Sequence, residues 1–178
     1  MKDYRITKFY LGIDIHPRGH NLKDVLAMDN GYLSRNHELP QWLFPLDRPR
    51  RPGEPFLSKD EIRIFRTNPT MRKNFLDVFK KYLAIFGLRY EGRVISRSNT
   101  SDPNTFFTDK WMQPGSHAYV FITRIARCLK LLNFYEEARQ LLDMLFKVNE
   151  KSGYKLIDRQ TLDVWSEIRK SIEVATRA

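Results

Sequence analysis

Cysteine is all but missing from this chain: Cys128 is the single one among 178 residues. An intramolecular disulfide is thereby excluded, and a reducing compartment fits. Long apolar runs are missing too, since none approaches the ~20 residues that a membrane-spanning helix requires. Residues 1 to 7 carry no apolar core of the kind a secretion signal needs. The chain is therefore expected to be soluble, intracellular and cytoplasmic, or nuclear if its source is eukaryotic. Glycine is scarce, with 8 in total, and these never cluster into a phosphate-cradling loop. Alternating strand patterns are too weak to build a sheet, and no repeat of about 20–50 residues emerges. Acidic charge is the last shortage: 21 Asp and Glu face 31 Lys and Arg, a formal charge of +10. So basic a surface attracts nucleic acid, anionic membrane or acidic protein tails over long range.

The same shortages thin out the catalytic classes. A metal site wants three or four converging ligands, and the four histidines are His16, His20, His37 and His117. Pro17 and Gly19 break the only helical His spacing, and no cysteine pair or fixed carboxylate stands nearby, so no metal and no cofactor is expected. Cys128 sits in an apolar helical run and reads as a small buried hydrophobe. Thr123 lies inside a helix, where its hydroxyl turns to a preceding carbonyl. Glu136 and Glu137 read as a solvated helix start, where negative charge is favourable. The expectation is a non-enzyme.

What is present is helical periodicity with good punctuation. Ile6, Phe9 and Tyr10 share a face before Gly12. Asn21 caps a helix carrying Leu22, Val25 and Leu26, which Asn30-Gly31 closes, with Tyr32 and Leu33 in the turn beyond. Ser58 and Glu61 make a capping box for a helix that buries Ile62 and Phe65. Asn68-Pro69 opens a helix of about 18 residues with Met71, Phe75, Phe79, Tyr82 and Phe86 inward, and Gly87 ends it. From 116 onward three amphipathic helices follow, broken near Asn133 and Gly153, with the last opening near Asp158. Between them lies 88–114, expected as a long packed loop; Tyr90 to Ile95 leaves a small hairpin and an extended crossing both open. Phe106, Phe107, Trp111 and Met112 are too apolar for free linker. The fold class is all-α: one compact domain over residues 1–178, about six to seven helices in an irregular bundle.

The chain is organised around residues 36–45, where Asn36 and His37 precede Gln41-Trp42-Leu43-Phe44-Pro45 and Pro40 stands between. The two prolines deny free amides and force a short helix or none. Trp42 and Phe44 become stiff packing anchors. This stretch resembles the signature of the opioid growth factor receptor conserved region, a helical domain family named for an animal receptor of an enkephalin peptide. Phe9-Tyr10-Leu11-Gly12 and Leu22-Lys23-Asp24-Val25-Leu26 resemble its N-terminal segments. Residues 57–65 and 71–87 are similar to its central helices, and His117-Ala118-Tyr119 with Ile122-Thr123-Arg124-Ile125 to a later one. The match runs in order over roughly residues 5–148, and a short stand-alone member is expected. The resemblance implies peptide binding tied to growth restraint, with a nuclear or perinuclear location in animal members.

Carried over residue by residue, the resemblance makes His37, Gln41, Trp42, Phe44, His117, Tyr119 and Arg124 candidates for a ligand pocket. In that reading Trp42 and Tyr119 supply walls, His37 and Gln41 orient, and Arg124 meets a carboxylate; the partner is a peptide or protein. His37 and His117 read otherwise as hydrogen-bonded orienters of backbone, and Arg124 as a buried strut. The alternative is a nucleic-acid-binding protein. Arg48, Arg50 and Arg51 follow the central stretch, and Arg127 and Lys130 step along the same helix as Arg124. Flanked by Tyr119, Trp42 and Phe44, these cations would suit base stacking or a peptide with aromatic and carboxylate groups.

Overall fold

The computed structural model describes residues 5–98 and 111–177. The helices are α1 (Arg5–Tyr10), α2 (Leu22–Ala27), α3 (Asn30–Arg35), α4 (Leu39–Leu43), α5 (Lys59–Thr67), α6 (Pro69–Ile85), α7 (Ala118–Leu131), α8 (Tyr135–Lys151) and α9 (Arg159–Arg177). One hairpin interrupts them, β1 (Leu88–Glu91) with β2 (Val94–Arg97). The all-α expectation holds, and the helix count exceeds it because α3 and α4 are each barely one turn and a half. Among the described residues no helix is long and apolar enough to cross a membrane.

Three readings are corrected. The helix opened by Asn21 stops at Ala27, and Asn30-Gly31 does not close it. The Asp29 side chain accepts from the Tyr32 amide at 3.1 Å and starts α3, which contains Tyr32 and Leu33. Gly31 reads as a stop yet sits within this helix, where an added Cβ would meet Asp29 Oδ1 at 2.9 Å. The segment 88–114 is not loop throughout. Gly92 and Arg93 both take positive φ, 56° and 66°, the left-handed pair that a two-residue hairpin turn needs. Trp111 and Met112 are buried beyond it, and Trp111 Nε1 donates to the Phe86 carbonyl at 3.2 Å. Phe106 and Phe107 lie outside the described residues.

The hub is α6. Its 17 residues turn Met71, Phe75, Val78, Phe79, Tyr82 and Leu83 inward, and α1, α2, α3, α5 and β1 pack around it. Asn68 serves two helices: its amide donates to Ile64 O, closing α5, and its side chain accepts from Met71 N, opening α6. Gly87, at φ +66°, lets the chain leave into β1. On the other side α7, α8 and α9 pack mutually, with Asn133 (φ 60°) and Gly153 (φ 71°) making the reversals.

Rings and cations weld the halves into one core. Phe75 stacks on Phe134 at 5.1 Å across the two halves, and within the α6 side Phe44 meets Tyr82 edge-on at 5.1 Å. Arg66 donates twice to the Leu131 carbonyl, and Arg72 once to Leu132 while lying 4.0 Å over the Phe134 ring. Both therefore meet the negative end of α7, where cations are favourable. Trp165, fully buried, donates to Thr123 Oγ1 at 2.7 Å, and Thr123 donates to Tyr119 O. Cys128 is buried in the middle of this assembly.

Candidate functional site

Residues 36–45 form a clasp. Asn36 Oδ1 accepts from the amides of Glu38 and Leu39, turning the chain into α4. Pro40 stands in the first turn, where its missing N–H costs nothing. Trp42 packs edge-on against Phe9 at 4.7 Å and His16 at 5.0 Å and is only 7% exposed. His16 uses Nδ1 to accept from the Arg18 amide, and burial first, then the neighbouring His20, lowers its pKa. Tyr10 reaches across to donate to Leu43 O at 2.7 Å.

Arg124 is the bolt. Its Nε donates to Phe44 O at 2.8 Å and its Nη2 to Gln41 O at 3.1 Å, while Nη1 pairs with Glu54. Glu54 also accepts the amides of Arg50 and Arg51 at 2.8 and 3.1 Å. Burial pushes the Glu54 carboxyl up, but those amides and the guanidinium outweigh it and hold it below the ordinary carboxylate range. The carboxylate that Arg124 meets is thus the chain's own. One guanidinium ties α4, α7 and the loop 46–57, whose base is pinned by Leu57 N donating to Leu46 O.

Among the described residues, those proposed as a ligand pocket are split between clefts, Trp42 bordering one and Tyr119 another. Phe44 and Tyr119 are buried, and the Tyr119 hydroxyl donates to Leu156 O. Gln41 is half-buried, with Nε2 only 3.4 Å from His37 O. His37 and His117 are exposed and pack with Phe121, at 5.6 and 5.2 Å. The two imidazoles also meet each other edge-on at 5.4 Å, so the structure brings these two candidates together against a ring, and His117 makes no capping bond at the start of α7. Trp42 shows only an edge, to a cleft of about 440 Å³ between α1, α5 and the half-exposed Phe56.

The basic set does converge. Arg48 and Arg50 from the loop, with Arg127 and Lys130 from α7, line a cleft of about 550 Å³ whose far wall is α9. Leu46, Leu131 and Ile168 give it apolar surface, and Glu167 and Ser171 complete the α9 side. Arg51 does not line this cleft. Arg124 parts from Arg127 and Lys130 because each three-residue step turns the helix back by about 60°: Arg124 faces the core, the others the cleft. Arg48 leans on Asp47 at 3.8 Å. Among the described residues Arg50, Arg127 and Lys130 have no carboxylate within ion-pairing distance. Partial burial, then the nearby Arg50, pulls the pKa of Arg127 down, with Glu167 acting against both. A half-buried cation crowded by another is a place where an anion is favoured.

A second cleft of about 610 Å³ adjoins the first, and Arg50 and Arg127 line both. Its surface comes from the start of α7 and the first turns of α9. There Asp158 accepts from the amide and hydroxyl of Thr161, which keep its carboxyl acidic. The α9 contributions to both clefts, and Glu54 behind the loop, were missed from sequence. The one available sign was an acidic residue closing an otherwise basic, proline-rich loop. Among the described residues no cluster of His, Cys, Asp and Glu is placed to hold a metal ion.

The chain matches the opioid growth factor receptor (OGFr) conserved region over residues 1–169. It belongs to that family. The match extends past residue 148, the limit expected from the motifs, to take in half of α9. Among named relatives, the mouse opioid growth factor receptor is 29% identical over 127 residues, which is 66% of this chain and 19% of that receptor. The human receptor is 29% identical over 123 residues, 64% of this chain and 17% of its own. The chain therefore spans less than a fifth of the relatives it matches. No solved structure matches it. Within this OGFr-type domain, the clasp motif, α6 and the Arg124 bolt all fall inside the matched region.

Proposed function

We propose that this OGFr-type domain is a non-catalytic binding module, a single domain over the whole chain, that takes a peptide or protein partner in the basic cleft between the loop 46–50, α7 and α9. The convergence of Arg48, Arg50, Arg127 and Lys130 on one partly apolar cleft carries the reading. Receptors in the same family support a binding role for the shared region. An acidic peptide suits the cleft better than nucleic acid. Single-stranded binding combines cations with aromatic platforms, and here Trp42 and Phe44 are turned into the core, while Tyr119 borders the second cleft but is only 3% exposed, with its hydroxyl bound to Leu156 O, and so offers no stacking face. The clasp around Trp42 and Arg124 then acts as the frame that sets the loop. A soluble, cytoplasmic or nuclear setting is part of the same proposal.

The test is fluorescence anisotropy with a labelled acidic peptide, an uncharged peptide of equal length and a random oligonucleotide, each titrated at several salt concentrations. Binding of the acidic peptide alone, lost in Arg127→Glu, supports the proposal. An oligonucleotide preference with a steep salt slope would replace it by the nucleic-acid reading.

A further inference from the structure

The two clefts meet at a pair of cations. Arg50 and Arg127 line both, so the surface is a furrow with a cationic waist. One bank is a single face of α7, stepping Val120, Thr123, Arg127, Leu131; the other is a face of α9, stepping Thr161, Val164, Ile168, Ser171. These three- and four-residue steps keep each set in line along its helix. Val120 is 49% exposed in the distal cleft, an apolar side chain left to solvent on a face that is otherwise in use. From Val120 to Leu131 the bank runs about 17 Å at ~1.5 Å per residue, the reach of about five extended residues at ~3.3 Å each.

The charges along the furrow are not equivalent. Asp158 is engaged with Thr161 at the start of α9, and Asp47 leans on Arg48. Glu167 faces Arg127 without bonding it. The cations left to a partner are Arg50 and Arg127 at the waist and Lys130 in the proximal cleft.

We propose that the two clefts are one site, taking a single acidic peptide segment laid along the α7–α9 furrow. Its carboxylate sits between Arg50 and Arg127, and its apolar side chains rest on Val120 and Val164 on one side of the waist and on Leu131 and Ile168 on the other. This rests on reading the basic cleft as the binding face. Glu167 sets the spacing: a second acidic group placed against it is repelled, so the partner carries its acids at the waist and towards Lys130 and not as a continuous run.

The experiment uses two labelled probes, a diglutamate-sized peptide that fills one cleft and a segment of about five residues that spans both at ~3.3 Å each, the latter with central acids flanked by leucines. Each is titrated against the full chain and against Arg127→Glu, Val120→Ser, Val164→Ser and Glu167→Gln, with circular dichroism confirming that every variant is folded. The long probe is expected to bind more tightly than the short one, and both to weaken at least ten-fold in Arg127→Glu. Val120→Ser and Val164→Ser weaken the long probe alone, by about three- to ten-fold, and Glu167→Gln tightens both. If both probes depend on Arg127 and neither responds to Val120 or Val164, the single-furrow inference is overturned while the binding reading stands. If neither probe depends on Arg127, the binding reading itself is overturned. A random oligonucleotide bound with the same Arg127 and Val120 dependence, in place of the peptides, overturns the acidic-peptide assignment.

Discussion

Arg124 carries more structural consequence than any other charged residue described. Its side chain is 6% exposed and that of Glu54 4%, so neither charge has water to fall back on. Removing one member of a buried pair costs about 3–5 kcal/mol, because the other is left buried and unpaired. Arg124→Met also strips donors from Phe44 O and Gln41 O. It is expected to lower the melting temperature by about 6–20 °C, at ~2–4 °C per kcal/mol, in a thermal melt followed by circular dichroism. Arg124→Lys keeps the charge but not the planar fork, so it falls in between. The sequence offered both roles for this residue, strut and ligand contact, and could not rank them. The partner that decides, Glu54, lies in a loop whose path no periodicity reveals. Tyr82 behaves differently. Its ring meets Phe44 edge-on, and its buried hydroxyl has no hydrogen-bond partner among the described residues. Removing an unpartnered buried polar atom without changing shape is neutral or favourable. Tyr82→Phe is expected to leave the melting temperature unchanged or raise it by up to about 4 °C, for a gain of up to ~1 kcal/mol.

Elements with strong punctuation were legible before the structure. The α5–α6 joint is the clearest case, because Asn-Pro after a capping box admits few geometries. Asn68 closes one helix with its backbone and opens the next with its side chain. Asn68→Ala removes the side-chain acceptor for Met71 N and is expected to cost about 1 kcal/mol, whereas Asn68→Ser or Asn68→Asp retains most of it. Urea unfolding of the three variants checks this, the midpoint shifting for alanine with the slope unchanged. Elements built on exceptions were not legible. In α3 the glycine that looks like a terminator makes room for the Asp29 cap. The hairpin turns on Arg93 in a left-handed conformation that non-glycine residues rarely adopt. The cleft was half-legible in the same way: its α7 cations follow from helical spacing, but α9 becomes its wall only through packing between distant segments.

At the scale of the whole molecule, the buried titratable groups bracket the pH at which this basic chain is most stable. His16 has a folded pKa below its ordinary 6.5, so the unfolded chain takes up a proton first and stability begins to fall as pH drops below that value. Glu54, Asp158 and Glu136 are likewise lowered; their contribution is present above the ordinary carboxylate range and is lost as pH falls through their folded values. At the alkaline end the sign reverses. Burial raises Cys128 above its ordinary 9.0, and burial followed by the Asp158 charge raises Tyr119 to about 12. Tyr90 is also held up to about 12, by burial and then Glu137. These groups stay protonated in the fold while the unfolded chain ionises, so stability declines as pH rises from 9 towards those values. The expected profile of melting temperature is a plateau between about pH 6.5 and 9 with a fall on either side. The two flanks are separable by substitution. Cys128→Ala should flatten the onset of the alkaline fall, at the cost of a small cavity in α7. His16→Gln should remove the first step on the acid side and leave the deeper fall, set by Glu54, Asp158 and Glu136, in place. A profile still rising between pH 9 and 11 would contradict the burial of Cys128 and Tyr119 together, and with it the packing of α7 against its neighbours that forms one bank of the furrow.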